Sequence, residues 1–116
     1  MRNAPEQRYT FDLYQKDVSQ FAIYPDANTG SNLELSYLAL GLGGESGEVL
    51  EKIKKLIRDG NFNPEEVAKE IGDVLWYASR LCNAIGYEFG EVANMNYNKL
   101  KSRQERNVLK GNGDNR

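Results

Sequence analysis

Histidine is absent from this 116-residue sequence. Its absence removes imidazole bases, His-containing zinc sites and the Glu-x-x-His pairs of di-iron bundles, which leaves carboxylates, lysines, tyrosines and one thiol as chemical groups. The single Cys82 can form no disulfide within the chain, so a reducing compartment is expected, and its place beside an apolar stripe marks it as a core residue. Neither sign of charge is in excess. With 15 basic and 17 acidic residues the net charge is −2, and no global field recruits nucleic acid or an anionic membrane. No apolar run approaches the roughly 20 residues of a membrane span, and the opening MRNAPEQR is too charged for a signal peptide. A cytoplasmic protein off the membrane is expected. Strand-like alternation is missing too, and the length suits one domain over 1–116, with tails at 1–9 and 110–116.

What is present is a long helical pattern from Leu35 to Ile57 with acids where oil is expected. Leu35, Leu38, Leu42, Val49, Ile53 and Leu56 recur in steps of three, four or seven, the mark of one buried stripe. Glu45 is the next place on that stripe, about 60° from Leu42, and Glu48 lies about 120° away on the same edge. A second segment, Val67 to Ile85, repeats the arrangement with Val67, Ile71, Val74, Ala78, Leu81 and Ile85 as its stripe. Glu70 and Asp73 sit three residues apart along its flank, about 40° and about 100° from Val74. If the two helices pack as neighbours, four carboxylates converge. They cannot all stay ionised in a half-buried place without a cation, and all-oxygen ligands suit Mg²⁺ or Mn²⁺.

Four helices are predicted in all. Thr10 caps the first, which runs to about Ala22 with Phe11, Tyr14, Val18 and Phe21 on one face. YPDANTGS, from Tyr24 to Ser31, is turn chemistry. Ser31 or Asn32 caps the central helix, Asp59-Gly60 ends it, and Asn63-Pro64-Glu65-Glu66 opens the third. Gly86 closes that helix, and a fourth spans about Phe89 to Leu109. The first eight residues are polar and expected to be loose. Gly41, Gly43, Gly44 and Gly47 each forfeit about 1 kcal/mol of helix propensity, which points to close approach by another backbone or a ligand. Leu33, Tyr37 and Leu40 lie opposite the first stripe, so this half of the helix is apolar nearly all round and a homo-oligomer is expected.

The fourth helix carries Asn96, with Lys99 and Arg103 one and two turns on, a row suited to phosphate oxygens. Lys52 is placed to pair with Glu48, while Lys54 and Lys55 lie at the rim. Tyr77, one turn beyond Asp73, is placed to stack on a base.

At these residues the chain resembles the MazG-like nucleoside triphosphate pyrophosphohydrolases of the all-α NTP pyrophosphatase superfamily. That family's Glu-x-x-Glu and Glu-x-x-Asp motifs stand here as Glu45-Ser-Gly-Glu48 and Glu70-Ile-Gly-Asp73, within LGLGGESGEV and KEIGDVLWY, followed by Asn96-Tyr-Asn-Lys99-Leu-x-x-Arg103. The resemblance runs from Tyr14-Gln15 to the GNGDNR tail; where many relatives carry Glu before the first motif Glu, this chain has Gly44. It implies a four-helix MazG-like bundle, dimeric or tetrameric, that cleaves a nucleoside triphosphate to the monophosphate and pyrophosphate with Mg²⁺. Glu45, Glu48, Glu70 and Asp73 would hold the metal, one of them serving as base. Lys99 and Arg103, with Lys54, would meet phosphate, and Asn96 and Tyr77 the nucleoside. Two other readings of the same residues are a non-catalytic nucleotide- or partner-binding bundle and a carboxylate bundle holding redox iron, the latter disfavoured by the missing His. The tail from Gly111 looks floppy by composition, with a return of Asp114 to Arg116 towards a site or subunit interface as the alternative.

Overall fold

The computed structural model describes residues 8–116, so the expectation of a loose start falls almost wholly outside the described residues. Helix α1 spans Phe11–Val18, α2 Asn32–Asp59, α3 Pro64–Ala84 and α4 Phe89–Glu105, and among the described residues there is no strand. The fold is all-α, as the periodicities predict. No helix among the described residues is long and apolar enough to cross a membrane.

Each helix begins where its capping chemistry stands. The Thr10 hydroxyl accepts from the amide of Leu13, Ser31 from that of Glu34, and the Asn63 side chain from Glu65 and Glu66, ahead of a first-turn proline. Glu88 and Glu91 close a reciprocal capping box on α4. The ends depart from expectation in two places. Helix α1 stops at Val18 and tightens into a 3₁₀ turn over Ser19–Phe21. Helix α4 ends at Glu105, four residues before the expected Leu109, because Asn107 takes a left-handed conformation at φ 62°. Val108 then donates to the Arg103 carbonyl and Asn107 to that of Gln104, a Schellman closure with Asn where Gly is usual. The glycine-rich stretch of α2 does not interrupt its helix.

Helices α2 and α3 form the dominant pair, joined by a short turn and running in opposite directions. Helix α1 lies across α3 and α4, tied there by three polar side chains. Gln15 donates to the carbonyls of Ser79 and Tyr87 and accepts from the amide of Phe89. Asp12 accepts from the amide of Gly90 at 2.7 Å, and Trp76 donates to the carbonyl of Val18. Leu38 is fully buried and Cys82 buried, as their stripes require.

The expected stripes are otherwise only partly covered. Ile71 is 53 % exposed, Ile53 and Ile85 are exposed, and on the opposite face so are Leu33, Tyr37 and Leu40. The deepest side chains include charged ones the sequence analysis did not single out. Glu34 is wholly buried and accepts from the Tyr24 hydroxyl at 2.6 Å and from the amides of Asn28 and Gly30. Arg80, equally deep, stands 3.8 Å from Glu34 and donates to the Tyr24 hydroxyl and the Asn28 side chain. This network pins the loop between α1 and α2 onto α3. Burial pushes the Glu34 carboxyl up in pKa. The hydrogen bonds from Tyr24, Asn28 and Gly30, with the Arg80 charge, more than offset that and hold it below the usual glutamate value.

Removing Glu34 leaves Arg80 buried without its counter-charge. Glu34→Ala is expected to cost about 3–5 kcal/mol in urea denaturation, well above a typical surface change. Because the folded pKa of Glu34 is depressed, its contribution is fully present above the unfolded pKa and lost as pH falls through the folded one. Acid destabilisation of the wild type relative to Glu34→Gln measures it.

Candidate active site

The opposed directions of α2 and α3 set which residues face one another. Lys52 bridges to Glu66 at 3.5 Å near the turn, and further along the pair Gly41 meets Tyr77. Between these two levels, carboxylate oxygens of Glu45, Glu70 and Asp73 lie within 4.8 Å of one another. Three of the four expected acids therefore share one place. Glu48 is exposed and stands outside that group, although its charge is felt at Glu45.

Glu45 and Glu70 are half-buried and Asp73 is exposed, so the group opens to solvent on one side. The Glu45 pKa is raised, first by burial and then by the charges of Asp73, Glu70 and Glu48. Every charge acting on it is negative. Hard oxygen donors from two helices, with no cation among the causes acting on Glu45 from the described residues, fit a small divalent ion such as Mg²⁺ or Mn²⁺.

Gly41 explains how the helices approach beside this group. A methyl group at Gly41 would fall 2.1 Å from the Tyr77 ring, so only hydrogen allows the ring to lie against α2 one turn from Glu45. What approaches is an aromatic side chain, not the backbone or ligand expected. Gly43, Gly44 and Gly47 have nothing within 4 Å of such a methyl, and the described contacts give no reason for them. Tyr77 is half-buried, edge-on to Trp76 at 5.0 Å. Its hydroxyl pKa is raised by burial, by neighbouring Tyr37 and by the charges of Glu45 and Asp73. Tyr37 in turn stacks on Tyr24, so an aromatic row leads from the buried Glu34 and Arg80 pair to the acidic group.

The cations expected to meet phosphate have carboxylate partners of their own. Lys54 pairs with Glu51 at 3.0 Å on the exposed face of α2, and Lys52 pairs with Glu66 where Glu48 was expected. A hollow of about 370 Å³ beside Lys52, Lys55 and Phe62 is lined by none of the three carboxylates. Asn96 and Lys99 border a hollow of about 280 Å³ on α4, which packs on α1 and α3. Arg103 is buried beneath the C-terminal tail, and both it and Lys99 meet Asp114, at 3.3 and 3.2 Å. The tail is thus folded back onto the end of α4. Glu34 and Arg80 escaped the sequence analysis, although Glu34, one turn before Leu38, is a carboxylate on the apolar stripe just as Glu45 is.

Residues 34–108, most of the chain and all of this site, match the MazG nucleotide pyrophosphohydrolase domain family. The chain belongs to that family. It is also similar to the Gene 37 protein of Mycobacterium phage L5, at 42 % identity over 111 residues that cover 90 % of this chain and 97 % of that protein. No solved structure matches it. Within the MazG family frame, the chain's Glu-x-x-Asp pair and the first glutamate of its Glu-x-x-Glu pair are the residues that meet.

Two measurements follow from the geometry. Gly41→Ala is expected to destabilise the protein by about 1–3 kcal/mol through overpacking, with much of that loss relieved in Gly41→Ala/Tyr77→Ala compared with Tyr77→Ala. The raised Glu45 pKa implies a stability penalty that is absent below the unfolded pKa and grows as pH rises through the folded one. Mg²⁺ should therefore raise the melting temperature more near neutral pH than in acid, where the carboxyls are protonated.

Proposed function

We propose that this MazG-family protein is a divalent-metal-dependent hydrolase that cleaves a nucleoside or deoxynucleoside triphosphate to the monophosphate and pyrophosphate, serving to clear nucleotides from the pool. The convergence of Glu45, Glu70 and Asp73 from two helices carries this reading. These three, with Glu48 at their edge, would hold Mg²⁺ or Mn²⁺. The chemistry such an ion would supply there is neutralisation of triphosphate charge and polarisation of a water for in-line attack at phosphorus.

The residues around the ion's place have separable tasks. Glu45, half-buried and with its pKa raised, suits holding a proton released by the attacking water. Tyr77, wedged over Gly41, offers a ring edge to the nucleoside beside the phosphates. Asn96 would add a nucleoside contact, and Lys99, Arg103 and Lys54 would meet phosphate charge. Exposed Leu40, at 77 %, with Leu33, Ile71 and Ile85, favours burial against further copies in a homodimer or homotetramer. The free, buried Cys82 suits the reducing cytoplasm.

The test is pyrophosphate release from a panel of ribo- and deoxyribonucleoside triphosphates with Mg²⁺. At least one is expected to be cleaved, with chelator abolishing turnover. Glu45→Gln, Glu70→Gln and Asp73→Asn are each expected to lower kcat/KM by about 100-fold or more with the fold intact by circular dichroism. Glu48→Gln is expected to lose turnover too, and wild-type turnover in that variant removes Glu48 from the metal site. Absence of pyrophosphate from every nucleotide points instead to a binding bundle.

A further inference from the structure

The last six residues form a built structure on the end of α4. Arg116 donates to the carbonyls of Val108, Leu109 and Gly113, and Arg106 donates to the main-chain oxygen of Arg116. A methyl at Gly111 would fall 2.5 Å from the Arg116 side chain, and Gly113 takes a left-handed φ of 81°. This loop delivers Asp114 to two cations. Its carboxylate accepts from Lys99 at 3.2 Å and from Arg103 Nη2 at 3.3 Å, while the same Nη2 donates to the main-chain oxygens of Gly113 and Asp114.

The satisfaction of Arg103 is one-sided. All three acceptors crowd onto Nη2, whereas Nε is buried with no hydrogen-bond partner among the described residues. A planar guanidinium is suited to two oxygens of one tetrahedral anion presented across its edge, which a single carboxylate oxygen does not supply. The lid over it is light. The Arg103 side chain is 5 % exposed and that of Asp114 is 83 % exposed, so the carboxylate reaches the cation from the solvent side, where an ion pair is screened and weak. The hydrogen bonds named above hold the segment only to α4 and the residues just after it.

We infer that residues 111–116 are a displaceable arm, in which the Asp114 carboxylate occupies the place of a phosphate group on Lys99 and Arg103. Resting on the reading that these cations receive substrate phosphate, the arm is an intramolecular competitor. A polyphosphate must lift Asp114 to gain Lys99 and both the Nε and Nη2 donors of Arg103. Product release is aided as the carboxylate returns, because it re-pairs the cations without waiting for another anion.

The experiment is calorimetric titration with inorganic tripolyphosphate in the absence of divalent ions, on wild type, Asp114→Asn and a chain ending at Lys110. Affinity is expected to rise roughly three- to fivefold in Asp114→Asn, the scale of one exposed ion pair, and to rise in the shortened chain as well. The tail amides in the wild type should lose hydrogen-exchange protection on adding tripolyphosphate. Equal or weaker binding in Asp114→Asn, or no binding in any form, overturns the arm. If Asp114→Asn binds more tightly but no nucleoside triphosphate yields pyrophosphate in the wild type, the arm stands and the hydrolase reading fails.

Discussion

Mutual repulsion among carboxylates on two facing helices is the constraint around which this molecule is arranged. Glu45, Glu70 and Asp73 gain nothing from one another, and half-burial sharpens the repulsion at Glu45. Their proximity is sustained by packing elsewhere: the apolar seam between α2 and α3, the notch at Gly41 that admits Tyr77, and the Lys52–Glu66 bridge towards the turn. On the proposed reading, function and stability pull in opposite directions at this point, and a bound divalent ion would reconcile them.

The rest of the fold holds the pair at its working distance. At one end, the buried Glu34 and Arg80 network fixes the loop before α2 to α3, and Tyr24 links it to Tyr37 and the aromatic row beside Glu45. At the other side, Gln15 and Asp12 fasten α1 across α3 and the start of α4. Neither group lies in the acidic cluster, yet both constrain the helices that carry it. A residue can matter here by holding α2 and α3 still.

Much of this was legible in the residues, and the misses have physical causes. Local chemistry placed helix starts at Thr10, Ser31 and Asn63, since a capping side chain acts on amides only two or three residues away. The acidic pairs were visible because a carboxylate on an apolar stripe is conspicuous. Glu34 meets the same criterion, but its role shows only in the folded chain, where Arg80 reaches it from another helix. Spacing places Glu48 beside Glu45 on one edge of α2, but angular position on one helix does not fix how far a side chain lies from the next, and Glu48 stands outside the group of three. The ends of α1 and α4 were overrun because apolar periodicity continued past them, while a 3₁₀ turn and a left-handed Asn107 stopped the helices. Long-range pairing of the tail with Lys99 and Arg103 has no periodic signature at all.

On the proposed reading, Glu45, Glu70 and Asp73 form a metal site. Anomalous diffraction from crystals grown with Mn²⁺ tests it most directly. The account predicts a strong peak between α2 and α3 within coordinating distance of all three carboxylates. A well-ordered Mn²⁺ bound elsewhere, with these carboxylates holding only water, would contradict it.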